Sequence, residues 1–138
     1  MIKTIITIVF LLNSCIAFCQ MVLTIEISKL EKSSGTIFIG LFDNAQSFPK
    51  EGNAYRDIRL KAVAPTTTTS VQLPCGTYAI AVFHDCNNNG KCDTNFLGIP
   101  TEGYGFSNNV KPKLSAPAFK HTCFELNSDR TLKINLIY

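Results

Sequence analysis

Residues 77–84 read TYAIAVFH, and this run is the strongest β-strand signal in the chain. Branched and aromatic side chains dominate it, which favours a strand. Immediately before it, Pro74, Cys75 and Gly76 form a predicted tight turn. After it, residues 85–120 are rich in Asn, Gly and Pro. A connection of that length is usually functional or holds structure of its own, so we expect one long structured loop there.

The rest of the chain, outward from this strand, shows the same period-two alternation and predicts six more short strands. These cover Val22–Ile27, Thr36–Phe42, Ile58–Val63, Thr67–Leu73, Cys123–Leu126 and Thr131–Tyr138. Residues 127–129 (NSD) are expected to form a hairpin turn between the last two strands. Seven strands without a convincing helix predict an all-β fold, a seven-stranded Greek-key β-sandwich. A small closed barrel is the alternative.

The composition is that of one globular domain. The chain has 138 residues, of which 46% are hydrophobic and 17% charged, and this excludes a disordered or fibrous protein. The formal net charge is only +3, and no basic run or acidic tail is present. We therefore expect no nucleic-acid partner.

The first residues, MIKTIITIVFLLNSCIAFCQ, read as an export signal. Lys3 supplies the positive start, Ile5–Leu12 the apolar stretch, and Ala17 and Cys19 the small residues of a cleavage site. The sequence therefore predicts a signal peptide at residues 1–19 and a single secreted or periplasmic domain at residues 20–138. The run Ile5–Leu12 is too short for a membrane span, which needs about 20 apolar residues.

A lipoprotein is the second alternative at this end of the chain. Residues 12–15 (LNSC) resemble a lipidation motif, although Asn13 fits it poorly. If Cys15 were lipidated, the domain would be attached to a membrane.

Export also determines how the cysteines are interpreted. Removing Cys15 and Cys19 from the six in the chain leaves four, an even number in an oxidising compartment, so two disulfides are expected. Of the three pairings we favour Cys86–Cys92 together with Cys75–Cys123. Since no C-x-x-C pair occurs, a zinc site of four thiolates and a redox role are both disfavoured.

Residues 84–96, HDCNNNGKCDTNF, follow the spacing of a calcium-binding loop, D-x-[DN]-x-[DN]-G. In that pattern, alternate side chains converge on one hard cation that prefers six to eight oxygen ligands. The glycine allows the sharp turn that other residues resist. The candidate ligands at positions 1, 3, 5, 7 (a backbone carbonyl) and 9 are Asp85, Asn87, Asn89, Lys91 and Asp93, with Gly90 at position 6.

The match to that pattern is incomplete. Position 12 is Phe96 instead of a bidentate Glu, and the loop follows a strand instead of a helix. A further ligand would come from Asp43, Glu102 or water. With two carboxylates we expect weak binding, at about 10⁻⁴ to 10⁻³ M. The alternative is an Asn- and Gly-rich set of turns, closed by a disulfide, whose side chains bind their own backbone.

The motif in residues 84–109, HDCNNNGKCDTNFLGIPTEGYGFSNN, together with the preceding strand and the later PAFKHTCFEL, resembles the domain of unknown function family numbered 2141. The resemblance extends over Leu23–Tyr138. It implies a transthyretin-like or immunoglobulin-like sandwich in an exported bacterial protein, and it implies no activity. The four cysteines of the mature chain look particular to this member. The matching positions are His84, Asp85, Asn87, Asn89, Gly90, Asp93, Asn95, Gly98, Pro100, Glu102, Gly105, Phe106 and Ser107.

Two classes of function remain open. The first is a non-catalytic, calcium-binding module that binds an unknown protein or glycan of the cell envelope. The alternative is a hydrolase or zinc-dependent enzyme that uses His84 and Glu102, with Ser107 and His121 as further polar groups; no G-x-S-x-G motif supports it. Glu102 itself would coordinate the cation, bind backbone amides or act as a general base.

Overall fold

The structure of the protein is a computed structural model that describes residues 19–138. Most of the predicted signal peptide, including Cys15 and Ala17, lies outside the described residues. Residues 19–138 form eight strands, a 3₁₀ turn at Ser107–Asn109 and a four-residue helix α1, Phe119–Thr122. The strands are β1 Gln20–Ser28, β2 Thr36–Phe42, β3 Arg56–Lys61, β4 Thr66–Pro74, β5 Gly76–Asp85, β6 Gly103–Phe106, β7 Phe124–Leu126 and β8 Arg130–Asn135.

The strands form two sheets. The smaller has the order β4-β1-β8, with β1 antiparallel to β4 and parallel to β8. The larger has the order β3-β2-β5-β6, and β7 also pairs with β5. Strand β6 pairs with residues 81–84 of β5, and β7 pairs with residues 76–78. The strand that the sequence marks most strongly, β5, is therefore the centre of the larger sheet.

The core lies between the two sheets. Alternate residues of β1 and β2 point into it, and together with β5 and β8 they form one buried cluster. A fully buried Leu or Ile contributes about 1.5–3 kcal/mol relative to an exposed one, so the alternation in the sequence accounts for the assembly of the sheets. The fully buried members include Leu23, Ile25, Ile27, Ile37, Leu41, Leu73, Ile80 and Ile134.

A second, smaller cluster lies on the outer face of the larger sheet. Phe48, from the segment between β2 and β3, contacts Phe42, Phe106 and Phe119 edge-on, with ring centroids 5.2, 6.1 and 6.0 Å away. These contacts hold residues 43–55 over the sheet. This long segment therefore forms a wall on a face that would otherwise be open.

The structure corrects the predicted fold at two places. One additional strand, β6, lies inside the segment that was expected to be a loop. The predicted hairpin at residues 127–129 is wrong, because β7 pairs with β5 in one sheet and β8 pairs with β1 in the other. After β8 the chain crosses back to the larger sheet, where Tyr104 and Ile137 exchange backbone hydrogen bonds of 2.9 and 2.8 Å. No helix within residues 19–138 is long and apolar enough to cross a membrane.

Candidate cation-binding loop

The candidate loop begins where β5 ends and leads to β6. It rests against the turn between β1 and β2, where Gly35 has a φ of +83°. A Cβ at Gly35 would collide with the carbonyl of Asp85. Glycine at this position therefore lets the two chain segments approach closely and places Asp85 at the base of the loop.

Asp85 closes the loop from inside the protein. Its side chain is 1% exposed. One carboxylate oxygen accepts the backbone N–H of Asn89 at 3.1 Å, and the other accepts that of Gly90 at 2.8 Å. Gly90 has a φ of +79°, so the turn requires glycine. The position-1 acid thus holds the sharp turn at position 6.

Asp93 accepts hydrogen bonds from two asparagine side chains on the outer side of the turn. Asn87 Nδ2 donates to one of its oxygens at 2.7 Å, and Asn89 Nδ2 lies 2.8 Å from both. The hydrogen bonds from Asn89 and then Asn87 lower the pKa of Asp93, with Lys91 adding to the effect and desolvation opposing it. Four of the predicted positions, 1, 3, 5 and 9, therefore form one connected cluster.

Glu102 links the start of the loop, at Cys86, to its end, at Asp93. Its Oε1 accepts the backbone N–H of Cys86 at 2.9 Å, and its Oε2 accepts that of Asp93 at 3.2 Å. The side chain is only 8% exposed. Of the three roles expected for Glu102, the structure gives it the binding of backbone amides.

Phe96, at position 12 of the calcium pattern, is 95% exposed and contributes no oxygen. Asp43, the other expected source of a ligand, is exposed and accepts a hydrogen bond from its neighbour Asn44 at 2.7 Å. Within residues 19–138, no three His, Cys, Asp or Glu side chains are grouped as a metal site. The donors that do come together in the loop are carboxylates and amides.

The electrostatic potential inside the loop is negative. Burial is the largest cause that raises the pKa of the Cys92 thiol to about 11, and the carboxylates of Glu102, Glu51, Asp93 and Asp85 contribute to the same rise in that order. Burial also raises the pKa of Cys86, with Glu102 as the next cause and Lys32 opposing. The carboxylates therefore dominate the local field, which favours a cation.

His84 is held by structural hydrogen bonds. It is fully buried, and its Nε2 donates to the carbonyl of Ser34 at 2.7 Å. Its Nδ1 lies 3.1 Å from the hydroxyl of Tyr138, which also accepts the N–H of Glu31 at 3.2 Å. Both ring nitrogens are engaged, so a metal or substrate would have to displace one of these bonds.

Ser107 and His121 are not assembled with His84. Ser107 is fully buried; its Oγ accepts the N–H of Ile80 at 2.9 Å and donates to the carbonyl of Thr122 at 2.6 Å. His121 lies exposed on α1. The structure therefore does not bring the residues of the expected Ser, His and acid set together.

The cysteines of residues 19–138 all have free thiols. The structure does not bring Cys75 and Cys123 together: Tyr78 lies opposite Phe124, so Cys123 is level with residue 79 of β5. Four residues along a strand span about 13 Å, well above the Cα separation of about 7 Å that a disulfide tolerates. Instead, Cys75 neighbours Cys19, to whose carbonyl its backbone N–H donates at 3.2 Å. The pairing of Cys86 with Cys92 stays a prediction.

A family model described as an uncharacterized protein conserved in bacteria, DUF2141, matches residues 25–135 of the chain. The chain belongs to the DUF2141 family. The match covers the candidate loop and most of both sheets, so the resemblance seen in the sequence is confirmed. No curated protein and no solved structure matches this DUF2141 chain.

Proposed function

We propose that this DUF2141 domain is an exported, non-catalytic binding module whose loop at residues 85–93 holds one calcium ion. One observation carries the proposal: the side chains at positions 1, 3, 5 and 9 of the calcium pattern lie together around the turn at Gly90. Asp85 and Asp93 supply carboxylate oxygens, and Asn87 and Asn89 supply amide oxygens. These are the hard oxygen ligands that calcium prefers.

The asparagine side chains support this assignment because an amide has an oxygen and a nitrogen at nearly equivalent positions. Asn87 and Asn89 now direct their nitrogens at Asp93, at 2.7–2.8 Å. A half-turn of each amide directs the oxygen there instead. A cation would then replace the amide hydrogens as the partner of Asp93, at the cost of the bonds that the two Oδ1 atoms accept from Asn89 N and Lys91 N.

The remaining oxygens come from nearby groups. Lys91 at position 7 supplies its backbone carbonyl, and water completes the shell where the pattern lacks a Glu. Glu102 stays on the amides of Cys86 and Asp93 and keeps the limbs of the loop together. Its carboxylate adds to the negative field at the loop without leaving these amides. A disulfide between Cys86 and Cys92 would stabilise the loop further by reducing the entropy cost of its closure.

The wider role is that of an envelope module. The two sheets, packed face to face over one core, support a sandwich of the transthyretin or immunoglobulin type. The loop lies at one end of it, where binding sites are commonly built on loops held by a rigid scaffold. The partner would be a protein or glycan of the secreted or periplasmic space.

The test is thermal unfolding of residues 20–138 in chelator and then in 0.1–10 mM calcium. Tenfold saturation stabilises by about 1.4 kcal/mol and raises the midpoint by several degrees. The rise should disappear in an Asp85→Asn, Asp93→Asn variant and persist in the control Glu125→Gln, which removes an exposed carboxylate of β7 outside the loop. An equal rise in both variants would mean non-specific binding and would reject the site.

A further inference from the structure

Residues 95–99, here named the apolar tip, project from the candidate loop into solvent. Phe96, Leu97 and Ile99 are 95%, 68% and 52% exposed. No charged residue occurs in residues 94–101. Three large apolar side chains are thus exposed on one five-residue turn, and exposed apolar patches are a feature of interaction sites.

The apolar tip is pre-organised. Asn95 Oδ1 accepts the backbone N–H groups of Leu97 and Ile99 at 2.9 and 3.1 Å. The backbone of Asn95 pairs with that of Ile99 at 2.8 Å, and Gly98 takes the positive φ of +77° that the turn requires. The exposed side chains are therefore held outward, and little entropy is lost when they bind.

A cleft of about 340 Å³ lies beside the tip, on the outer face of the larger sheet. One side of it is a ladder of directly paired residues that crosses four strands: Arg59, Phe38, Phe83 and Tyr104. The Phe38 and Phe83 rings stack at 4.8 Å, and the guanidinium of Arg59 lies 4.9 Å from the Phe38 ring. The ladder gives the cleft a rigid aromatic side.

Next to the ladder, the cleft is lined by Gly40 and Ala81, a pair of small residues on the two central strands. Pro49 and Gly52 of the segment over the sheet form one wall, and Pro100 of the candidate loop forms another. The cleft thus has a mainly apolar lining, opens to solvent and is bounded by two loops.

We propose that the apolar tip of one copy of this chain inserts into the cleft of a second copy, and the reverse, to form a two-fold dimer. The tip and the cleft agree in polarity, because the side chains exposed on the tip and most of the lining of the cleft are apolar. Pro100 lines the cleft only one residue beyond the tip, so both lie on the same side of the molecule. A two-fold axis between them satisfies both contacts at once and closes the assembly.

The charges around the cleft are compatible with this occupant. Its rim carries Lys50 and Arg59 against Glu51 and Asp57, which balance. The uncharged tip therefore brings no charge that must lose its water, and the rim does not favour a strongly charged ligand. Phe96 is the expected anchor, since a buried aromatic side chain at the centre of an interface carries much of its energy. The proposal does not depend on calcium.

The test is sedimentation equilibrium of residues 20–138 under reducing conditions, in chelator. The wild-type mass should rise with concentration to twice that of the monomer. A tip variant, Phe96→Ser with Leu97→Ser, should weaken association at least tenfold, and so should a cleft-filling variant, Ala81→Leu. A control variant, Leu114→Ser, changes a side chain that is fully exposed elsewhere and should dimerise like the wild type.

Mixing the two variants distinguishes this arrangement from non-specific association. An equimolar mixture of the tip and cleft variants should form a mixed dimer, because one intact tip still meets one intact cleft. A monomeric wild type, a tip variant that dimerises normally, or two monomeric variants that do not associate when mixed would each overturn the proposal. If the cleft variant fails to fold, the tip variant alone still decides, since its changed side chains are exposed.

Discussion

Gly90 donates its backbone N–H to the buried carboxylate of Asp85 at 2.8 Å. This bond joins the first and sixth positions of the candidate calcium loop. The acid that ends β5 therefore determines where the chain turns, and the turn brings Asn87 and Asn89 to Asp93. The shape of the loop depends on Asp85 even before any ion is considered.

Replacing Asp85 by Asn should destabilise the domain by about 1–3 kcal/mol, because the buried side chain then turns an NH₂ group towards one of the two backbone amides that the carboxylate accepts. Urea unfolding in chelator measures this loss. Asp43→Asn, an exposed change outside the loop, should have little effect. Equal stabilities of the Asp85 variant and the wild type would show that the carboxylate does not hold the turn.

Glu102→Gln should loosen both limbs of the loop. Glutamine keeps one acceptor oxygen but turns an NH₂ group towards either Cys86 N or Asp93 N, so one of the two bonds is lost. Amide hydrogen exchange at residues 86 and 93 should accelerate at one or both positions, while exchange in the core strands β1 and β2 stays slow. Unchanged protection at both amides would show that Glu102 does not hold the loop together.

The carboxyl group of Asp93 should titrate below its ordinary pKa of 3.8, because Asn89 and Asn87 donate hydrogen bonds to its charged form. Its contribution to stability is present above the ordinary pKa and is lost as the pH falls through the lowered one. Carbon-13 NMR titration of the side chain measures this pKa. The double variant Asn87→Ala, Asn89→Ala should raise the pKa of Asp93, and the control Asn53→Ala should leave it unchanged. The same Asp93 pKa in the double variant and the wild type would contradict the hydrogen-bond assignment.

Folding raises the pKa of the Cys92 thiol from 9.0 to about 11, so the reduced domain should lose stability as the pH increases from 9 to 11. In that range the unfolded chain releases a proton that the folded chain retains, so the free energy of unfolding falls as the pH rises. Urea unfolding at pH 8, 9, 10 and 11 should therefore show a smaller fall in Cys92→Ser than in the wild type. All other ionisable groups are common to the two proteins, so their contributions largely cancel in the comparison; parallel curves would refute the burial of this thiol.

Much of the fold was accessible from the sequence because strand residues alternate between core and surface. The predicted limits of β2, Thr36–Phe42, are those observed, and TYAIAVFH is indeed the central strand. Strand β6 was missed because two of its four residues are glycines, which are poor strand formers. The signal was the alternation of Tyr104 and Phe106. Gly105 is needed because a Cβ there would press on Ile134 and the carbonyl of Asn135.

The site was accessible in part for a similar reason. The spacing of Asp85, Asn87, Asn89 and Asp93 reports a local turn, which depends on neighbouring residues. The position of Glu102 across the loop and that of Phe48 across the sheet depend on tertiary packing, and no local pattern indicates them. The Cys75–Cys123 expectation relied on strand pairing without its register, and the register separates the two residues.

The most direct measurement is a calcium titration of nitrogen-15-labelled residues 20–138, followed by the backbone amide signals. We expect saturable shifts centred on Asn89, Gly90 and Asp93, with a Kd of about 10⁻⁴ to 10⁻³ M, and we expect these shifts to be lost in the Asp85→Asn, Asp93→Asn variant. Signals that do not move, or that move without saturation at carboxylates across the whole surface, would contradict the cation site.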